Sequence, residues 1–407
     1  MTDVLYSAAH GGFPEEAVPL GGGAAVCNQL ATEWARTNPF RLRLLTPSLL
    51  GEHAPGGAEL VRYSEREYAR FCYRFDHAVT SEILNHDPAQ TRVLINDISE
   101  APDFERLHRA GFRMFTIYHV DVVAYVARMY GRGLVSPKTL VKWYDAAWPL
   151  FPRIAKLVFE KQKQSLLFSH RVVVPSQEMR DLLLSCYPRI PDDRIRVLPW
   201  GHWLEPSAGL AVETEALRRE LKLGGGQPVL VTLSRISPEK GQHRLLRSIE
   251  RWESSADFPR SGLTLLICGE AAYMAGRRYL RHLQSLASRL RRTRVLFPGY
   301  VTGVRKQAVL AAADLYVFPS VHESYGLTLV EALAMGVPAV CLDHHGAREV
   351  MRPGFGAVVP PSALLDAIRA LLADPERRKS CGQAARAWAA TQRFSDRAAT
   401  LAGWLIE

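Results

Sequence analysis

The chain has 407 residues, 47% hydrophobic and 23% charged, which is the profile of a soluble globular protein with room for two domains of roughly 200 residues. Its net charge of +10 suits anionic partners such as nucleoside diphosphates or phospholipid surfaces, while the absence of RNP1, C2H2 or helix-turn-helix patterns sets nucleic acid aside. No run of 18 apolar residues occurs, the N-terminus lacks a basic n-region, and six scattered cysteines form no C-x-x-C pair, so a spanning helix, a signal peptide, disulfides and a zinc site are not expected.

Short apolar runs alternate with helical patterns along the whole chain, which predicts an α/β fold with parallel sheets. In the first half, strands are expected at 4–8, 42–47, 92–97, 114–119 and 171–176. Helices fill the gaps at 24–36, 65–84 and over a long stretch, 138–168. The region after Trp200 contains Pro206 and the Gly224–Pro228 punctuation but no long apolar run, so a linker is expected there. Strands resume at 229–236, 263–269, 295–300, 315–320 and 337–343, and helices at 364–372 and 377–390 precede a tail.

Residues 315–320 (LYVFPS) read as a buried strand, followed by a polar break and an amphipathic run, 327–335 (LTLVEALAM), closed by Gly336 and Pro338. Glu323 falls in the loop at the strand's carboxyl end, and Glu331 falls about a turn and a half into the helix. The start of such a helix favours an anion such as phosphate. Two carboxylates beside a phosphate would repel it, so they suit hydroxyl groups instead. Phosphates in the middle with hydroxyls on either side describe a nucleotide sugar. Upstream, Arg235 and Lys240 lie five apart in a loop ended by Gly241, where a guanidinium fork and an ammonium can share one pyrophosphate.

Taken together, the A-D-L-x-V-F-P-S…E-x7-E…A-L-A-x-G-x-P-A-V frame and the S-R-x-S-P-E-K-G loop resemble the retaining glycosyltransferases of family 4, the glycosyl transferases group 1, which have the GT-B fold. The resemblance is close over 229–359 and scattered over the first 200 residues. It implies two Rossmann-like domains facing across a cleft: an acceptor-binding domain over 1–205, a nucleotide-sugar donor domain over 226–385, and a tail over 386–407 that packs back on the first. It also implies that Glu323 holds the transferred sugar, that Glu331 holds the ribose, and that Arg235 and Lys240 stabilise the departing diphosphate. Ser324, Tyr325, Gly326, Leu327 and Val301 join the donor contacts. Gly22 and Gly23 resemble the family's glycine loop, although Gly11 and Gly12 offer another register. A dinucleotide fingerprint fails here because Val26 stands where the third glycine is needed. His119, at a strand's carboxyl end, matches the family histidine that meets sugar and phosphate. Its acid follows at Asp121 rather than immediately, which leaves Asp121 in doubt.

The expected activity is metal-independent transfer from a nucleoside diphosphate sugar, with uridine the leading base, to an acceptor hydroxyl on a glycan, a lipid-linked sugar or a small molecule. No cofactor is implied, and a cytoplasmic protein is expected, with peripheral contact at the inner face of an anionic membrane a further reading. Two basic amphipathic stretches, 138–164 and 277–294, could make that contact, though each also fits an ordinary surface helix. Ser324 replaces a usual glycine, Cys268–Gly269 lacks a second glycine, and His344 and His345 stand where the family has small residues. A metal site at Asp343, His344 and His345 is a weak reading, since adjacent side chains rarely converge on one ion. An inverting transferase, an epimerase, a phosphorylase carrying pyridoxal phosphate and a binding subunit with a decayed site remain as alternatives.

Overall fold

The structure, a computed structural model, describes the chain apart from residues 1, 14–20, 130–134, 152, 206, 225 and 272. Two compact units make up the chain: Met1–Trp200 with Ser395–Glu407, and Gly201–Phe394. Each is built on a six-stranded, wholly parallel sheet with helices between successive strands, the Rossmann-like layering that the strand and helix patterns predicted.

The first sheet contains β1 (Asp3–Ser7), β2 (Arg41–Leu45), β3 (Thr91–Ile95), β4 (Arg113–Ile117), β5 (Arg171–Val174) and β6 (Ile195–Val197), in the order β2-β1-β3-β4-β5-β6. The second contains β7 (Val229–Leu233), β8 (Leu263–Cys268), β9 (Thr293–Gly299), β10 (Leu315–Phe318), β11 (Ala339–Leu342) and β12 (Gly356–Val359), in the order β12-β11-β10-β7-β8-β9. The strand order reverses between β1 and β3 in the first unit and between β7 and β10 in the second. Ligands in open α/β sheets sit at the carboxyl ends of strands beside such a reversal.

Burial explains why these segments are strands. All five residues of β7 and all six of β8 are buried, as expected for strands covered on both faces. The helix Gln242–Glu253 lays Leu245, Leu246, Ile249 and Trp252 against them. Each such side chain contributes about 1.5–3 kcal/mol when fully buried. The closing helix Phe394–Ile406 packs on the first unit, where Trp34 Nε1 donates to the Ala398 carbonyl at 3.0 Å and Arg171 pairs with Glu407 at 2.9 Å.

Three local expectations change. The long 138–168 stretch is two helices, Pro137–Ala147 and Arg153–Phe168, with a 3-10 turn at Trp148–Leu150 between them. Pro149 lies in that turn and cannot continue an α-helix. The stretch expected as a linker carries the helix Leu210–Glu220, whose Glu213 and Glu220 both pair with Arg305. Its punctuating Pro206 and Gly225 lie outside the described residues. The short strands β6 and β12, at the sheet edges, were not anticipated.

Candidate functional site

The reversal point of the second unit gathers the residues singled out in its sequence. After β7 the chain turns through Arg235 and a 3-10 turn, Pro238–Lys240, before the helix Gln242–Glu253. The fully buried Gln242 fixes this loop, its Nε2 donating to the Arg235 carbonyl at 2.9 Å and lying 3.0 Å from Ser234 Oγ. Val321 N–H, after β10, donates to the Glu239 carbonyl at 2.9 Å and joins the two loops. Gly241 makes this approach feasible: its φ is +68°, and a Cβ there would overlap the Pro319 carbonyl oxygen. Gly241→Ala is therefore expected to lower stability by about 3 kcal/mol, measurable by urea unfolding.

This junction brings Lys240 and Glu323 together, with Nζ 2.6 Å from Oε1 and both side chains largely buried. Burial pushes the Glu323 carboxyl up, but the adjacent Lys240 ammonium, with His344 nearby, brings it below the usual carboxylate range. Glu323 thus stays ionised and acts as a hydrogen-bond acceptor. Ser324 and Tyr325 are buried, and Gly326, at φ +99°, opens the helix Leu327–Ala334 with no side chain capping it. The first N–H groups of that helix make a favourable place for negative charge.

Four residues into the helix, Glu331 is 4% exposed and meets Lys306 Nζ at 2.6 Å through Oε1. Glu331 Oε2 is buried with no hydrogen-bond partner, so one carboxylate oxygen is held and the other is left for a donor to reach. Lys306 comes from the helix Gly303–Ala311, which follows Val301, itself buried just beyond β9. Nothing local in the sequence marks Lys306, whose partner lies 25 positions ahead.

His344, one of the two histidines that depart from the family pattern, is buried beside this site. Its Nδ1 accepts from Ala347 N–H at 3.1 Å, which leaves the proton of the neutral ring on Nε2, a buried atom with no partner. Asp343 turns away to Arg348 at 2.6 Å, which fits the weakness of a metal reading for this triplet. Among the described residues no three His, Cys, Asp or Glu side chains converge in a way that could hold a metal ion.

In the first unit, Gly21, at φ +97°, precedes the helix Gly22–Thr37. A Cβ on Gly23 would lie 3.0 Å from His119 Cδ2, so the imidazole packs directly on the helix start. Gly11 and Gly12 lie further upstream, in the turn after β1, where Gly12 N–H donates to Asn28 Oδ1 at 3.1 Å. His119 Nε2 lies 3.0 Å from Asn96 Oδ1, which also accepts from Tyr6 OH at 2.6 Å. Asn96 Nδ2 reaches the Gly23 carbonyl at 3.3 Å and so ties the ends of β1, β3 and β4 together. Asp121 is buried as the cap of the next helix, its Oδ1 accepting from Ala124 N–H at 2.9 Å, and burial raises its carboxyl. That is a structural role.

His119, His243 and His344 are each pushed down to about 4, chiefly by burial. The unfolded chain takes up these protons near pH 6.5 and the folded chain refuses them until about pH 4, so the stabilisation is complete above 6.5 and is lost as pH falls through that window. The slope reaches about 1.4 kcal/mol per pH unit for each histidine. Melting temperatures recorded from pH 7 to pH 4 are expected to fall steeply below 6.5, and His344→Phe is expected to flatten the curve.

Comparison with known proteins agrees with this geometry. Residues 213–388, within the second unit, match the family model of the glycosyl transferases group 1. The chain is 28% identical over 232 residues to an alpha-maltose-1-phosphate synthase of Mycolicibacterium smegmatis, covering 53% of this chain and 57% of that protein. It is 33% identical over 189 residues to a GDP-mannose-dependent alpha-(1-6)-phosphatidylinositol monomannoside mannosyltransferase of the same species, covering 44% and 47%. These alignments span roughly half of each curated relative. Among solved structures, Anabaena Alr3699/HepE in complex with UDP and glucose aligns over 100% of this chain and 99% of its own at 17% identity, with a TM-score of 0.66. Sucrose-phosphate synthase from Thermosynechococcus elongatus aligns over 99% and 98% at 18% identity, with a TM-score of 0.72. At such identities the likeness establishes the GT-B type of fold, two Rossmann-like domains with a returning C-terminal helix.

Proposed function

We propose that this protein is a glycosyltransferase that moves a sugar from a nucleoside diphosphate sugar, a uridine diphosphate sugar in the first instance, to an acceptor hydroxyl with retention at the anomeric carbon. The observation that carries the reading is the pair of lysine-held glutamates, Lys240–Glu323 and Lys306–Glu331, on an uncapped helix start beside the reversal of the second sheet. Glu331 offers Oε2 to a ribose hydroxyl. Glu323 offers its carboxylate to hydroxyls of the transferred sugar, with Ser324, Tyr325, Gly326, Leu327 and Val301 shaping the pocket around it.

Lys240 faces a choice that suits the reaction. Without donor it holds Glu323. An arriving diphosphate competes for the ammonium, while sugar hydroxyls occupy Glu323 in its place. With Arg235 and the helix start, Lys240 then meets the charge that grows on the diphosphate as the glycosidic bond breaks, the largest electrostatic term in such a transfer. These groups, rather than a divalent ion, are assigned to the leaving group. In the first unit, His119 and the Gly22–Gly23 helix start form a second ligand-facing end.

Exposed Trp143, Trp148 and Leu150, with Lys156 stacked over Trp148 at 5.0 Å, support peripheral contact with an anionic membrane surface on the cytoplasmic side. No described helix is long and apolar enough to cross a membrane. The acceptor is a glycan, a lipid-linked sugar or a small molecule. Incubation with UDP-, GDP- and ADP-sugars, followed by nucleotide release and NMR of the product anomer, tests the reading. A product of the donor's own anomeric configuration supports it, and an inverted product rules out the retaining course.

A further inference from the structure

Away from the donor end of the second unit, the basic stretch at 277–294 ends in a feature that the proposed transfer does not use. Lys222, Arg291, Arg292 and Arg294 line a hollow of about 600 Å³ together with Gln227 and Thr293. The hollow lies at the amino ends of β8 and β9, opposite the carboxyl ends where Lys240 and Glu323 meet. A six-residue strand separates the two ends by about 20 Å.

None of the four cations pairs with a carboxylate among the described residues. The nearby Glu253 is taken up by the backbone N–H groups of Arg291 and Arg292, at 2.8 and 3.0 Å. Arg292 is braced by stacking on Phe258, with its guanidinium carbon 4.5 Å from the ring centroid, and by donation to the Pro259 carbonyl at 3.2 Å. Arg294 Nη2 donates to the Lys222 carbonyl at 3.0 Å, so both forks are held in place by neutral carbonyls that leave their charge uncompensated. Thr293 Oγ1 and Arg294 Nε are buried without a hydrogen-bond partner, and Thr293 is 7% exposed. Four like charges around one hollow repel one another, and orphaned buried donors there are costly, unless an anion completes the arrangement.

We propose that this hollow is a second anion site, separate from the donor site, that takes a ligand bearing two or more phosphoryl oxyanions. Rigid guanidinium forks favour phosphate, and the four cations match a diphosphate or a phosphorylated headgroup more closely than a single monoanion.

Calorimetric titration with inorganic pyrophosphate tests it. Lys222→Glu/Arg291→Glu reverses two exposed charges whose side chains hold no part of the fold, whereas Lys240→Ala acts at the donor end. The unaltered chain is expected to bind pyrophosphate at two sites. The Lys240 variant is expected to keep the hollow, and the double variant to keep the donor site while binding at the hollow falls at least tenfold. Sedimentation with phosphatidylglycerol vesicles distinguishes the source of the phosphate. Vesicle binding that the double variant loses assigns a lipid headgroup, whereas pyrophosphate binding with no change on vesicles assigns a soluble ligand. The proposal is overturned if the double variant matches the unaltered chain with both probes. A Lys240 variant that changes nothing would instead count against the donor assignment and leave the hollow standing.

Discussion

Lys306→Met is expected to destabilise the second unit by about 3–5 kcal/mol, because it strands the Glu331 carboxylate at 4% exposure with neither oxygen partnered. The double variant Lys306→Met/Glu331→Leu removes both charges and is expected to regain most of the loss, since an apolar pair of similar volume can replace a buried ion pair at little cost. Denaturant unfolding of the four proteins in the cycle measures the coupling. A coupling near zero would mean that Lys306 does not hold Glu331, and the ribose assignment would lose its support. The double variant should also separate fold from function by refolding normally while losing discrimination between a ribonucleotide and its 2′,3′-dideoxy analogue.

Lys240→Ala is expected to weaken binding of the cognate nucleoside diphosphate by about 100-fold or more, the size of a lost charge-assisted contact of about 2.7 kcal/mol in a partly buried site. Glu323→Gln should behave differently. It removes the negative charge that holds Lys240 in its 2.6 Å contact, so the free diphosphate should bind as well as before or better, while the sugar nucleotide loses the carboxylate that accepts from its hydroxyls. Calorimetry with the diphosphate and with the sugar nucleotide, on both variants, resolves the pattern. Equal losses for both ligands in both variants would show that the pair is structural rather than divided between phosphate and sugar.

Much of this was legible in the sequence because the key chemistry is local. Glu323 and Glu331 are eight positions apart across one strand-to-helix turn, and Arg235 and Lys240 share one loop, so spacing and punctuation reveal them. The elements read least well are those that long-range contacts create. β12 is a four-residue, half-buried strand beginning at a glycine, and it exists because β11 pairs with it. The helix Leu210–Glu220 buries one leucine and is anchored by Arg305 from far along the chain. Lys306 and Asn96 owe their importance to partners 25 and 23 positions away, Glu331 and His119, and a single sequence carries no pattern for such meetings. Asn96 did have one signal, its place at the carboxyl end of a strand beside the reversal of the sheet.

Nucleotide binding at Lys240 and Glu331 is tested by thermal unfolding with UDP, GDP, ADP, CDP and dTDP, each in EDTA and in magnesium. A ligand at 100 times its dissociation constant adds about 2.7 kcal/mol of stability. One of these nucleotides is expected to raise the melting temperature in EDTA, and Lys240→Ala is expected to abolish the rise. No rise with any nucleotide, with or without magnesium, would contradict such binding.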